Sequence, residues 1–210
     1  MPGRFITFEG IEGVGKSTQL KLAAERLRRS GLDAIVTREP GGTPLAEAIR
    51  RLVLERREET VDSVSELLLM FASRSVHLAN LIEPSLARGT WVLCDRFTDA
   101  TEAYQGHGRG IPLEHIHTLE RIAQHGRRPD LTLLLDAPVD VAMARTLVRG
   151  GPGDRIESER AEFFQRVRHG YLAIHEREPE RVRRIDASRP LAEVEAAVAQ
   201  VLDRFIQAAS

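Results

Sequence analysis

Residues 9–18, EGIEGVGKST, set three glycines around one lysine directly after the apolar stretch RFITF. Glycine loses more conformational freedom on folding than any other residue, so a cluster of three needs a use. Gly10, Gly15, Lys16 and Ser17 fit G-x-x-x-x-G-K-[ST], the P-loop spacing. In that pattern, backbone N–H groups of the loop and of the first turn of the following helix cradle phosphates. Lys16 would hold the β- and γ-phosphates, and the Ser17 hydroxyl would ligate Mg²⁺. The pattern requires a strand before it and a helix after it. RFITFE and STQLKLAAERLRRS meet that condition. Only Lys16 and Lys21 among the 30 basic residues are lysine. A compact ammonium fits between phosphate oxygens where a branched guanidinium is too large.

A P-loop specifies a nucleoside triphosphate and leaves three classes open: a GTPase switch, an ATP sensor without turnover, and a small-substrate kinase. The guanine-reading motif [NT]-K-x-D is absent, because no lysine follows position 21. A remodelling ATPase would need further domains for which 210 residues leave little room. A kinase needs a second pocket that aligns an acceptor, with cations for the charge that develops between the substrates. Arg38, Arg96, Arg149 and Arg155 stand beside glycine-rich or strand-end segments and could supply them.

The elements that must position these groups alternate. RFITFE (4–9), LDAIVTR (32–38), WVLCD (91–95), LTLLLD (131–136) and RVRRIDA (181–187) read as strands. Helical patterns fall at 17–29, 44–57, 63–87, 112–125, 138–148, 158–177 and 190–208. Three of the strands are apolar nearly throughout, as in sheets covered on both faces. The alternation predicts an α/β fold with a five-stranded, mainly parallel sheet between helices. Neither a composition break nor a repeat divides the chain, so a single domain over 1–210 is expected. REPGGTP (38–44) falls at a strand's carboxyl end, where ligands gather in such sheets. RGGPGDR (149–155) joins two helices and reads as a hinged flap or an ordinary turn.

A net charge of −1 gives no pull toward nucleic acid, and no apolar run is long enough to span a membrane. The single cysteine, Cys94, lies in WVLCD, which favours a reduced, buried thiol and a cytoplasmic location. His/Cys spacing suited to a metal site is absent, so Mg²⁺ with the nucleotide is the metal expected. His107, in QGHGRG, is near enough to the expected acceptor site to touch phosphate.

EGIEGVGKST, TREPGGTPLAE, FASR, WVLCDRF, AYQGHGRG, RPDLTLLLD and RGGPGDRIE occur in an order and spacing that resembles the bacterial thymidylate kinases, over nearly the whole chain. The resemblance implies a three-layer P-loop kinase fold with a short lid at about 149–156, and transfer of the γ-phosphoryl group of ATP to dTMP, giving dTDP and ADP, a step of dTTP synthesis. It implies that Gly10, Ile11, Glu12, Gly13, Val14, Gly15, Lys16, Ser17 and Thr18 surround the ATP phosphates, with Ala187 and Ser188 beside adenine. Catalytic roles pass to Lys16, Glu12, Arg96, Arg155 and Arg149, with the transition-state arginine coming from the lid, since Gly13 replaces a basic P-loop residue. Of the two lid residues, Arg155 in DRIE is favoured. Arg38 and Arg96 would grip the acceptor phosphate, and Arg74 would read a thymine carbonyl. Glu9, Pro40, Met70, Phe71, Thr101, Tyr104 and Gln105 would line the rest of the dTMP site. Asp95 and Ser17 would reach Mg²⁺ directly or through water, and a homodimer packed through the 63–87 helix is implied.

One feature departs from the family pattern F-x-x-x-R. Four residues before Arg74 stands Met70, and the phenylalanine is Phe71. One helical position is a rotation of about 100°. Either Phe71 faces the core and Met70, with its polarisable thioether, meets the base, or a local helix distortion restores the aromatic stack. Two other readings stay open: a kinase for a different pyrimidine monophosphate, and a nucleotide-binding regulator without turnover.

Overall fold

The computed structural model describes residues 3–56, 58–150, 154–157 and 159–209, the side chains of Arg149 and Ala209 excepted. Strands β1 (Phe5–Glu9), β2 (Ala34–Arg38), β3 (Trp91–Asp95), β4 (Leu131–Asp136) and β5 (Val182–Asp186) form one sheet, ordered β2-β3-β1-β4-β5. Every pairing is parallel, with Phe8 opposite both Asp95 and Leu133. All residues of β1 and β4 are buried, as expected of strands with helices on both faces. Their two buried hydroxyls, Thr7 and Thr132, satisfy each other at 2.8 Å. The edge strands β2 and β5 each bury only two of five residues, Ala34 and Thr37 in β2 and Val182 and Ile185 in β5.

The helices are α1 (Lys16–Arg29), α2 (Pro44–Leu54), α3 (Ser63–His77), α4 (Glu83–Ala87), α5 (Thr98–Thr101), α6 (Leu113–Gln124), α7 (Val139–Arg149), α8 (Ala161–Arg177) and α9 (Leu191–Ala209). Their starts follow from local chemistry. Thr43 caps α2 ahead of Pro44, and Asp62 accepts from the N–H groups of Val64 and Ser65 to start α3. The helix expected over 63–87 is a continuous path with a wide turn at Leu78–Ile82. Pro84 has no N–H to donate and its ring would meet the carbonyl of residue 80, so the ladder opens there.

Residues 98–108, which fall outside the helical patterns read from sequence, are helical. The short α5 runs into a wide helix over Glu102–Gly108. Its glycines serve packing rather than turning: a Cβ at Gly108 would lie 2.7 Å from the Phe163 ring. The main core joins both sheet faces to α1, α8 and α9, and Cys94 is a buried free thiol in a smaller cluster with Phe5 and Phe97. Among the described residues, no helix is long and apolar enough to cross a membrane.

Candidate active site

The carboxyl ends of β1 and β3 meet at the P-loop. β1 ends at Glu9, and residues 10–15 turn the chain into α1, which begins at Lys16. Gly13 and Gly15 have φ of +78° and +92°, a region L side chains rarely enter. A Cβ on Gly13 would also sit 2.0 Å from the carbonyl oxygen of Ala142 in α7. Position 13 therefore has no room for a basic side chain, and cations must reach the phosphates from elsewhere. Lys16 Nζ folds back over the loop, donating to the Gly10 and Ile11 carbonyls at 3.0 and 2.9 Å. Burial, reinforced by Arg96, lowers its pKa to about 8.

Two chambers open side by side. The first is lined by Gly15, Lys16, Ser17, Thr18, Arg38 and Asp95. The second is lined by Pro40, Met70, Arg74, Phe97, Thr101 and Tyr104. They share Glu12, Glu39, Arg50, Arg96 and Asp154 as a common wall. Arg96 lies at this junction with φ +73°, a strained conformation for a residue with a side chain. Hydrogen bonds hold it there: its N–H donates to the Phe8 carbonyl, its own carbonyl accepts from the Cys94 thiol, and the next N–H, of Phe97, donates to Glu9. Its guanidinium donates to Glu12 Oε1 at 2.7 Å and the Tyr171 hydroxyl at 3.2 Å, above the Tyr104 ring. Burial alone would raise the Glu12 carboxyl, but Arg96, Lys16 and the Tyr104 hydroxyl outweigh it and hold it below its usual range.

In the second chamber, Arg74 is 3% exposed and tightly fixed. Its Nε donates to Glu39 Oε2 at 2.7 Å, and Nη2 donates to the Phe97 carbonyl and the Thr101 hydroxyl. Glu39 also meets His77, which meets Thr37, so a buried polar chain sets the angle of Arg74. Among the described residues its remaining nitrogen, Nη1, is buried without a partner, and so is Oε1 of Gln105, which follows the chamber-lining Tyr104 but does not itself line the chamber. Such groups are rare in folded proteins and call for a ligand or a bound water. Met70 lines the chamber, while Phe71 packs with Leu67, Ile111 and Ile116, its ring 4.9 Å from the Arg74 guanidinium.

A third orphan, Asp95 Oδ1, ends β3 in the first chamber with Ser17. An unpartnered buried carboxylate oxygen beside a hydroxyl fits a hard divalent cation such as Mg²⁺. Among the described residues no group of three or more His, Cys, Asp or Glu could hold a metal alone. The other ligands would be phosphate oxygens and water.

The residues expected from sequence divide accordingly. Lys16, Ser17, Thr18, Glu12, Gly13, Gly15, Arg38, Asp95 and Arg96 line the first chamber, though Arg38 is also held by Glu47 at 3.0 Å. Gly10 and Ile11 act through the carbonyls that hold Lys16, and Val14 is buried in the core. Ala187 and Ser188 accept from Arg145, which lines that chamber. Glu9, expected at the acceptor, is fully buried beneath it. It accepts from Phe97 N–H and the Tyr171 hydroxyl, and its pKa is pushed up to about 8 by burial and by Asp99. Arg155, expected at the γ-phosphate, lines neither chamber and donates to the Val53 carbonyl and to Glu66. The side chain of Arg149, and lid residues 151–153, lie outside the described residues. His107 lines neither chamber; its ring is 5.9 Å from that of His169.

Sequence reading missed Arg50, Tyr171, Asp154 and Glu66. Arg50 had a signal, since it falls at i+4 from Ala46 and i−3 from Val53, inside the buried stripe of α2. Burial and the neighbouring Arg38 and Arg96 lower its pKa. Tyr171 and Glu66 sit on helix faces that read as ordinary, and only tertiary contacts distinguish them.

A sequence profile of the thymidylate kinase family matches residues 8–198. A thymidylate kinase of Alkalilimnicola ehrlichii is 56% identical over 200 residues, covering 95% of this chain and 92% of that one. One from Methylococcus capsulatus is 56% identical over 205 residues, 98% of this chain and 97% of its own. The crystal structure of thymidylate kinase from Ehrlichia chaffeensis superposes with a TM-score of 0.77 at 36% identity, covering 96% and 99% of the two chains.

Proposed function

The chain belongs to the thymidylate kinase family, and on that premise we propose that it transfers the γ-phosphoryl group of ATP to the 5′-phosphate of dTMP. The observation that carries the reading is the shared wall: a glycine cradle and an orphan-lined pocket meet at Arg96, Arg50 and Glu12.

ATP would take the first chamber, its triphosphate against the loop N–H groups and Lys16, its adenine toward Arg145, Ala187 and Ser188. Asp95 and Ser17 would hold Mg²⁺, which when bound neutralises charge on the β- and γ-phosphates. Arg96, Arg38 and Arg50 would grip the acceptor phosphate from three segments and offset the repulsion of the two anions. The acceptor oxygen is already ionised, so the residues mainly position and screen; Glu12 keeps Arg96 aimed rather than removing a proton.

Base recognition follows from the two orphans. Arg74 Nη1 offers a donor and Gln105 Oε1 an acceptor. Thymine presents the complement, a C4 carbonyl beside an N3–H, whereas cytosine presents an amino group beside a lone pair. A site whose buried polar atoms are left unpaired rejects the wrong base strongly. Thr101 and Tyr104 would border the sugar.

The discriminating experiment is a coupled assay with Mg-ATP and dTMP, dUMP, dCMP, UMP or CMP in turn. ADP release preferring dTMP is expected. A preferred cytosine acceptor would overturn the base assignment, and binding without turnover would make the protein a regulator.

Exposed apolar side chains on α2 (Leu45, Leu52), α3 (Val64, Leu68) and α6 (Ile122) support a homodimer through these helices. Sedimentation showing a monomer at micromolar concentration would rule it out. The buried free thiol of Cys94 supports a reducing, cytoplasmic setting, to be checked by cell fractionation.

A further inference from the structure

Glu66 is a carboxylate buried to 1% exposure in the first turn of α3, outside the phosphate-binding machinery. Positions 66, 70 and 74 are spaced by four and share one face of the helix, the face that carries Met70 and Arg74 into the second chamber. Glu66 Oε1 accepts from Gln105 Nε2 at 2.7 Å. Oε2 accepts from Arg155 Nη2, and Arg109 donates to both oxygens at 3.4 and 3.3 Å. Arg155 is further tied to the end of α2, through its N–H to the Leu54 carbonyl and Nε to the Val53 carbonyl. Its neighbours Asp154 and Ile156 then wall the second chamber.

We propose that Glu66 is a positioning residue that ties recognition of the acceptor's base to docking of the 154–157 segment, an inference that rests on the dTMP-kinase reading above. The amide of Gln105 has two orientations, and a carboxylate partner permits only one, because carbonyl against carboxylate repels. With Nε2 committed to Glu66, Oε1 is left buried and without a partner among the described residues. It stands one position along from Tyr104, which lines the chamber, and is the acceptor a base N–H would need. The other oxygen of the same carboxylate holds Arg155. A base that engages Gln105 orders Glu66, and an ordered Glu66 makes Arg155 easier to dock. Coupling of this kind is reciprocal, so the docked segment also favours the base. Burial would raise the Glu66 carboxyl, but Gln105, Arg109 and Arg155 outweigh it and keep it low, so it remains a charged acceptor for all three.

The test is hydrogen exchange in the peptide containing 154–157, with dTMP alone and no ATP. Saturating dTMP should slow exchange there several-fold in the natural protein. Glu66→Gln should lose that slowing and raise KM for dTMP about tenfold, while KM for ATP stays within twofold. Unchanged dTMP-induced protection in Glu66→Gln, or KM for ATP rising in step, overturns the proposal. Should Glu66→Gln fail to fold, Arg155→Met serves in its place, since it leaves Gln105 and Arg109 on the carboxylate. It should abolish the dTMP-induced protection with a modest rise in KM for dTMP. A fall in kcat of about 10²–10³ with protection intact would instead make Arg155 a transition-state group and overturn the proposal. Calorimetry separates the two levels: no dTMP binding to the natural protein refutes the acceptor reading, and binding without protection refutes this inference alone.

Discussion

Arg96 Nη2 donates to Glu12 Oε1 at 2.7 Å, joining the end of β3 to the P-loop across 84 residues of sequence. The pair places a cation where the two chambers meet, and Tyr104 closes the arrangement by donating to Glu12 Oε2 at 2.6 Å. The pair is partly buried, so desolvation offsets part of its attraction, and its contribution lies in placement more than in stability.

Arg96→Lys tests that placement. Lysine keeps the charge but loses the planar fork that reaches Glu12 and Tyr171 together. We expect kcat/KM for dTMP to fall by about 10²–10³, the range for removing one preorganised donor from a developing charge. Circular dichroism should be unchanged. Steady-state kinetics within threefold of the natural enzyme would contradict the role.

Glu9 gives a pH prediction with a definite sign. Its folded pKa of about 8 lies above the ordinary 4.5, so between these values the folded state keeps a proton that the unfolded state has released. Its contribution is therefore fully present below about pH 4.5 and is lost as pH rises through about 8. Glu9→Gln mimics the protonated form and should remove this slope. Urea melts at pH 5, 7 and 9 should show the variant gaining on the natural protein by on the order of 3 kcal/mol across the range. Parallel stability curves would mean that the carboxyl is ionised throughout.

Much of this site was legible in the residues because local rules wrote it. The glycine spacing at 10–15, the apolar strands and the strand-end positions of Arg38, Asp95 and Arg96 needed no tertiary information. The rest did. Gly106 and Gly108 fall outside every helical pattern read from sequence, yet they lie inside a wide helix packed against Leu113 and Phe163. Arg155 reads as a free lid cation, yet its partner Glu66 lies 89 residues away. A glycine chosen for close packing and an arginine chosen for a distant carboxylate carry no local mark.

Gly13→Ala separates the two chambers. The added methyl would meet the Ala142 carbonyl at 2.0 Å and the Thr146 hydroxyl at 2.7 Å, at a φ of +78°. The loop must move off α7, a strain of about 1–2 kcal/mol from the left-handed backbone alone. ATP affinity should fall at least about tenfold by calorimetry. dTMP affinity should be nearly unchanged, because Gly13 lines only the first chamber. Equal losses for both ligands would mean that the chambers are not separable.

Met70 and Phe71 give the last prediction, and it turns on one helical step. Met70 lines the base chamber, whereas Phe71 is 3% exposed among Leu67, Ile111 and Ile116. A ring at 70 could stack on the base, worth about 1–3 kcal/mol, in place of a thioether contact of about 0.3–1.5 kcal/mol. Met70→Phe should therefore lower KM for dTMP roughly fivefold with kcat little changed. Phe71→Ala should behave differently: it opens the core, at a loss of about 3–5 kcal/mol, and removes the ring beneath Arg74. Its melting temperature should fall before its kinetics are measurable. If Met70→Phe raised KM and Phe71→Ala left stability intact, the aromatic at 71 would be the one facing the base, and the orientation of α3 assigned here would be wrong.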